Sequence, residues 1–275
     1  MNIVALDSSG LVASVAVVED DGVNSSLLAE YTVNYKKTHS QTLLPMLDEI
    51  ARMIELDLNT IDAIAVAAGP GSFTGLRIGS ATAKGLGLAL DKPLVHVPTV
   101  DALAYNLYGT DRVICPLMDA RRNQFYTGIY EFRNNELSVI EPQMAVGIEV
   151  IAGKLRALGR EVVFLGDGVP VFRKALMEEL MQGMDFSFAP AHLNKQRAGA
   201  VAALAVSYVR AGKIETAAEH RPDYLRPSQA ERERAEKEAR EKAEKAKAEK
   251  AERVEKEKAE EQKEQKEQKE AGLHE

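Results

Sequence analysis

Between residues 229 and 270 the chain is built almost wholly from Glu, Lys, Arg, Ala and Gln, so it offers nothing large to bury. Those 42 residues hold 15 Glu and 14 Lys plus Arg, and Val254 is their one branched apolar side chain. Such a mixture cannot offset the entropy of ordering a core. Glu and Lys four residues apart recur at Glu233 and Lys237, Glu238 and Lys242, Glu241 and Lys245, and Glu252 and Lys256. Each pair contributes ~0.2–0.5 kcal/mol to a helix. The segment 228–275 is therefore expected to be either an isolated charged helix or disordered, and a coiled-coil seam is not expected. Any fold must come from the residues before it.

That preceding part is long enough for one large or two small domains with a real core. The whole chain has 275 residues and a formal charge of −7. An acidic body argues against autonomous binding to a phosphate backbone, which needs clustered Lys and Arg. Arg121, Arg122, Lys36 and Lys37 are left as a local basic contact. A single cysteine, Cys115, excludes a disulfide framework and a cysteine-based zinc site. Its neighbours Ile114 and Pro116 mark it as a small buried hydrophobe. No apolar run approaches the ~20 residues that span a bilayer, and no basic segment precedes the first strand. A cytoplasmic protein without membrane contact is expected.

Residues 2–6, 12–18 and 27–33 read as three successive strands, a β-meander with a turn at Asp20-Asp21-Gly22. A helix over 40–53 follows, with Thr38 to Ser40 as caps and Leu43, Leu44, Leu47, Ile50, Ala51 and Ile54 at helical spacing. A buried strand over 63–68 leads through a glycine-rich loop into a helix over 76–90. That helix is crowded with Gly79, Ser80, Ala81, Ala83, Gly85, Gly87 and Ala89, so another backbone can approach it closely. A strand over 92–98 and a helix over 100–108, capped by Thr99, close the first half. Strands over 113–119, 124–132 and 137–140, a helix over 150–158, a strand over 161–165, and helices over 172–181 and 197–211 then repeat the plan loosely. Internal duplication is the economical explanation. Two lobes are expected, at 1–108 and 109–196, with the 197–211 helix completing the first.

Chemistry-bearing residues are few. Asp7, Ser8 and Ser9 end the first strand, where a carboxylate and backbone amides could meet a phosphate and its magnesium ion, although strand-end Asp and Ser are commonly turn residues. Gly69-Pro70-Gly71-Ser72-Phe73-Thr74-Gly75-Leu76-Arg77 joins a strand to a helix and could aim several N–H groups at an anion. It has neither the Gly-Lys-Ser/Thr of a P-loop nor the Gly-x-Gly-x-x-Gly dinucleotide pattern, and close helix packing explains its glycines equally well. None of the five histidines, His39, His96, His192, His220 and His274, has a His or Cys two to four residues on, so no metal site is expected. His192 and His220 read as surface or loop residues, and His39 as a residue that caps or packs at a helix start.

Several strings together resemble a known family. They are Asp7-Ser8-Ser9, Thr38-His39-Ser40-Gln41-x-Leu43-Leu44-Pro45, the stretch Gly69 to Gly79, Asp119-Ala120-Arg121-Arg122 and Pro222-x-Tyr224-Leu225-Arg226. They resemble the bacterial tRNA threonylcarbamoyladenosine biosynthesis family TsaB, also called YeaZ, over residues 1–226. The resemblance implies the duplicated α/β actin-like ATPase fold shared with acetate kinase, Hsp70 and actin. It also implies a non-catalytic subunit of the machinery that adds threonylcarbamoyl to N6 of adenosine 37 (t6A) in tRNAs reading codons that begin with A. The implied partners are the TsaD transferase, of which the family is a paralogue, and the TsaE ATPase. ATP and a metal ion would sit in those partners, none would belong to this chain, and tRNA would be met through the complex.

The transferase paralogue carries a His-x-x-x-His metal pair on a segment matching residues 97–103, where this chain has Thr99 and Leu103. Its Gly-Gly-Val-x-x-Asn nucleotide loop is only loosely matched by Gly166-Asp167-Gly168-Val169-Pro170-Val171. Asp7, Ser8, Ser9, Gly69, Gly71, Ser72, Gly75, Gly166 and Gly168 would be the remains of a nucleotide site. In the family two helices per subunit form a four-helix interface, used for a homodimer or for the TsaD heterodimer. Leu43, Leu47, Ile50, Ile54, Gly79, Ala83 and Gly87 are the residues this assigns to the partner interface. Two other classes compete: a stand-alone ATP-dependent kinase of the same fold and a TsaD-like metallopeptidase.

Overall fold

The computed structural model describes residues 1–35 and 39–226, and beyond them Arg234, Lys237, Glu238, Arg240, Glu241, Lys242 and Glu244. The expectations for Thr38, Lys36 and Lys37, and for most of the charged segment, lie outside the described residues. Residues Met1–Arg226 form one compact unit and Pro227–Glu275 a second. The seven described residues of the second unit are helical, with exposed pairs Arg234–Glu238 at 3.0 Å and Lys237–Glu241 at 3.9 Å.

The first unit is built twice from one plan. Its first half runs β1 (Asn2–Asp7), β2 (Ala13–Asp20), β3 (Ser25–Val33), α1 (His39–Met53), β4 (Ile61–Gly69), α2 (Phe73–Leu90), β5 (Leu94–Pro98) and α3 (Thr99–Tyr105). Its second half runs β6 (Val113–Asp119), β7 (Phe125–Arg133), β8 (Glu136–Val146), α4 (Ile148–Leu158), β9 (Val162–Leu165), α5 (Val169–Ala175), β10 (Phe186–Phe188) and α6 (Ala198–Arg210). The sheet orders are β3-β2-β1-β4-β5 and β10-β9-β6-β7-β8, so each strand has a counterpart in the same place. In both sheets the meander pairs antiparallel and the last two strands add in parallel through helical crossovers. This is the duplicated, two-lobed actin-like ATPase fold.

The repeat fixes where hydrophobic faces must go. On one face of the first sheet Val4, Leu6, Val15, Val17, Ile64 and Val66 pack against α1 and α2. Its other face offers Ile3, Ala5, Ala16, Ala63 and Ala65, and α6 covers it with Ala198, Val201, Ala202 and Ala205. Small residues on both sides let helix and sheet come close. The last helix of the second half thus lies on the first sheet, while Val100, Leu103 and Ala104 of α3 join Ile114, Met118 and Tyr130 of the second sheet in a core cluster.

Local differences from the sequence expectations have local causes. Thr99 does not cap α3: its Oγ1 accepts the Gly69 N–H at 3.1 Å, and Pro98 occupies the cap position without a side-chain bond. Helix α2 starts at Phe73 because Ser72 caps it, its Oγ accepting the Gly75 N–H at 3.3 Å. Strand β10 has three residues, too few for a period to show. The helix over 172–181 begins at Val169 and passes into one turn of π-helix at Leu176–Leu180. Among the described residues no helix is long and apolar enough to cross a membrane.

Candidate functional site

The motif strings scattered over the sequence meet at the junction of the two halves. Asp7 ends β1, is 1% exposed, and accepts hydrogen bonds from the Ser9 backbone N–H at 2.9 Å and the Ser9 hydroxyl at 2.7 Å, both on Oδ1. Burial pushes its carboxyl up to about 6; the bonds from Ser9 and the nearby His39 act in the opposite direction. Ser8 is also buried, and its Oγ donates to the Gly75 carbonyl at 2.9 Å. Ser9 O accepts the Ser72 N–H at 2.6 Å.

The glycine loop is therefore clamped onto the Asp7-Ser8-Ser9 turn. A Cβ on Gly71 would stand 2.4 Å from Ser9 O, and one on Gly75 would stand 2.0 Å from Ser8 O, so only glycine allows the two backbones to touch. The N–H groups of Gly69, Ser72 and Gly75 are taken up by Thr99, Ser9 and the Ser72 side chain. Gly69 adopts φ +130° after Asp223 N–H has bonded Ala68 O at 2.7 Å, and a Cβ there would meet Asp223 O at 2.2 Å. In the second half Gly166 N–H donates to Asn194 O and Gly168 N–H to Leu117 O, both at 2.8 Å. Three of the first loop's amides and both of these second-half glycine amides are thus engaged with the chain itself.

Residues 215–226 form a strap across this junction. Tyr224 stacks on Phe73 with ring centroids 4.7 Å apart, and the Arg77 guanidinium lies 4.1 Å over the same Phe73 ring. Arg226 Nη1 donates to Ala120 O at 2.5 Å and to Arg121 O at 3.3 Å. The turn that it holds places Arg121, Arg122 and Asn123 all at positive φ, with Arg121 N–H bonded to Asp119 Oδ1 at 2.7 Å. His39 begins α1 and bonds Gly10 O through Nε2 at 2.9 Å. Beside it Gln196, 2% exposed, has neither amide atom bonded among the described residues. Gln196 borders a cavity of about 360 Å3 that is also lined by Val12, Tyr35, Asp167 and Lys195.

Six of the seven residues assigned to a partner interface point inward. Leu43, Leu47, Ile50, Gly79, Ala83 and Gly87 are buried and Ile54 is half-buried, most of them against the first sheet. Gly79 faces Ser8 Oγ and Gly87 faces Leu94. The outward surface of α1 and α2 is made by Leu44, Ala81, Gly85 and Leu88, with Leu44 52% and Leu88 73% exposed. The 3.6-residue period marked two faces and the sheet took the more apolar one.

His220 corrects the sequence assignment most sharply: it is 0% exposed, not a surface residue. Its Nδ1 lies 2.6 Å from Glu215 Oε1 and its Nε2 2.9 Å from Ser80 Oγ. Burial pulls the imidazole below the usual histidine range, with Glu215 opposing that shift. No spacing rule links His96, Glu215 and His220, which is why the sequence does not show them as a group. Cys115 is buried, and burial pushes its thiol up to about 12.

Comparison with known proteins follows the same outline. The family described as "TsaD: tRNA N6-adenosine threonylcarbamoyltransferase" matches residues 26–234. The tRNA threonylcarbamoyladenosine biosynthesis protein TsaB of Bacillus subtilis is 34% identical over 234 residues, covering 84% of this chain and 96% of that protein. The chain belongs to the TsaB family. The Escherichia coli TsaB is 33% identical over 172 residues, covering 60% of this chain and 72% of that protein. The crystal structure of YeaZ from Pseudomonas aeruginosa superposes with a TM-score of 0.68 at 27% identity, covering 82% of this chain and 99% of that one. TsaB relatives thus match along the compact unit in which the motif strings converge.

Proposed function

We propose that this protein is a non-catalytic subunit of the cytoplasmic assembly that adds threonylcarbamoyl to N6 of adenosine 37 in tRNA, and that it acts by binding a TsaD-type transferase together with a TsaE-type ATPase. Its membership of the TsaB family supports the pathway, since the relatives are named for threonylcarbamoyladenosine biosynthesis. The observation that carries the non-catalytic role is the state of Thr99 and Leu103. The family resemblance matches both to the transferase's metal-binding histidines, and both are core residues, 0% and 1% exposed. Leu103 has no donor atom, and the Thr99 hydroxyl is held by Gly69. The engaged amides of the glycine loop and the buried Asp7 favour the same role. ATP and metal chemistry then belong to the partners, and tRNA is met through the complex.

The outward face of α1 and α2, with Leu44, Ala81, Gly85 and Leu88, is the surface this proposal gives to the transferase or to a second copy of the chain. Small residues at Ala81 and Gly85 allow close backbone approach, and the exposed leucines supply apolar area. Depletion of the protein followed by mass spectrometry of tRNA nucleosides tests the role. Loss of threonylcarbamoyladenosine is expected, and an undiminished level would overturn it. Rapid ATP turnover by the purified chain alone would overturn the non-catalytic part.

A further inference from the structure

We propose that His96, Glu215 and His220 form a binding site for a divalent transition-metal ion of the zinc type. The three residues each present a ligand atom, and these atoms lie within 4.8 Å of one another. They come from two parts of the chain that the fold brings together. Glu215 is fixed beside β5 by a two-bond bridge, Leu94 N–H to Glu215 O at 2.8 Å and Glu215 N–H to Leu94 O at 2.9 Å. His96 stands two residues further along that strand. His220 is turned inward by a tight turn, in which the Glu219 and His220 N–H groups both donate to Thr216 O at 3.1 Å.

The second contact of each ring sets which nitrogen is free. Asp223 Oδ2 lies 3.0 Å from His96 Nε2. An ionised carboxylate only accepts, so Nε2 carries a proton, and in the neutral ring the Nδ1 lone pair is the one left for a metal ion. That Nδ1 lies 3.8 Å from Glu215 Oε1. His220 repeats the arrangement, with Ser80 Oγ on Nε2 and Glu215 Oε1 on Nδ1. At 2.6 Å the His220 Nδ1–H donates to Glu215 Oε1, and a metal ion bound here would take the place of that proton. A carboxylate or hydroxyl on the far nitrogen is the usual outer support of a metal-bound imidazole.

Two neutral imidazoles and one carboxylate make a donor set suited to Zn2+, with the fourth position open. A tetrahedral ion with bonds of about 2.0–2.1 Å needs ligand atoms about 3.3 Å apart. Glu215 must therefore draw back from His220 and approach His96, a small movement for a side chain 25% exposed beside a histidine 27% exposed. The other charges facing the cluster are Asp223 and Lys84, whose Nζ donates to His220 O at 3.2 Å. Their opposite signs largely cancel, leaving Glu215 to favour a cation. None of these residues is Thr99 or Leu103, the positions matched to the transferase metal pair.

The full chain, stripped with a chelator, is titrated with Zn2+ by calorimetry and with Co2+ by visible spectroscopy. One ion per chain is expected, with the d–d bands of a four- or five-coordinate Co2+ and a Zn2+-dependent rise in melting temperature. His96→Ala is expected to weaken binding at least 100-fold, and Asp223→Asn about 10–100-fold, as for outer-shell partners. Far-UV circular dichroism of the metal-free variants checks that they fold. His96 is partly exposed, so its loss leaves the core intact; if it nevertheless prevents folding, Asp223→Asn decides. Absence of any Zn2+ or Co2+ binding below about 1 mM overturns the site, as does unchanged binding in whichever variant folds.

Discussion

The carboxylate of Glu30, in β3, caps α6 from the far end of the chain: its Oε1 accepts the Gly199 N–H at 3.0 Å, while the Arg197 guanidinium pairs with the same side chain. Ser14 Oγ accepts the Ala198 N–H at 2.9 Å beside it. The N-terminal amides of the last helix are thus satisfied by the first sheet, and the negative charge meets the positive end of the helix dipole. Glu30→Ala removes the acceptor and strands Arg197. It is expected to lower stability by ~2–3 kcal/mol, read as a shift in the urea midpoint at constant slope. Glu30→Gln, which keeps an acceptor for Gly199, should cost less.

Gly75 and Gly85 belong to one helix and should respond oppositely to alanine. At Gly75 the new Cβ would meet Ser8 O at 2.0 Å, whereas at Gly85 nothing lies within 4 Å. Gly75→Ala is expected to destabilise by ~1–3 kcal/mol or more, since backbone must move. Gly85→Ala is expected to stabilise by ~0.5–1 kcal/mol through helix propensity. Denaturant melts of the two variants provide the comparison, and equal effects would contradict the clamp between α2 and β1.

Asp7 gives the protein a defined pH signature. Its carboxyl titrates at about 6 when folded against 3.8 for the ordinary group, so the native state holds a proton that the unfolded chain releases. The group costs nothing at low pH, where both states are protonated; the cost builds as pH rises from 3.8 to about 6, while only the unfolded chain is ionised, and is complete above that. At pH 7 it amounts to at most ~3 kcal/mol. Asp7→Asn retains an acceptor for the Ser9 N–H and hydroxyl. The variant is expected to be more stable than the wild type at pH 7, with the difference closing towards pH 4 in urea melts. A difference that grows on acidification would reverse the assignment.

Leu88→Arg and Ala83→Arg separate the outer face of α2 from its inner one. Leu88 is 73% exposed and Ala83 is 0% exposed in the core against the first sheet. Ala83→Arg buries an unpaired charge and is expected to abolish folding. Leu88→Arg should leave the melting temperature within about 2 °C of the wild type, as surface changes do. Under the proposed function it should also abolish co-purification with the TsaD-type partner. Retained co-purification would remove α2 from the interface.

Much of the fold was legible because local patterns repeat. The meander in residues 1–33, the apolar strand at 61–69 and the Ala/Val face of α6 each carried a period that the tertiary structure used directly. Strand β10 and the extended β8 were missed or cut short because three residues hold no period and an edge strand is only half-buried. At the site, the strings that resemble the TsaB family identified Asp7, the glycine loop, Asp119-Ala120-Arg121-Arg122 and the strap as important, without showing that they touch one another. The residues assigned to the partner face lie mostly on the inner side of α1 and α2, against the first sheet, since a helix apolar on one side and small on the other gives no sign of which side its own sheet will take.

By itself the sequence determined that a core-forming body ends before a charged segment, that this body is a duplicated α/β unit, and to which family it belongs. Those properties live in composition, periodicity and short strings, all of which are local. Only the tertiary structure decided that α6 would be capped by Glu30, that the loop amides would be engaged by Ser9 and Thr99, and that His96 and His220 would meet over Glu215. These are contacts between residues tens to hundreds of positions apart. They depend on how two sheets and a returning strap pack, which no spacing along the chain records.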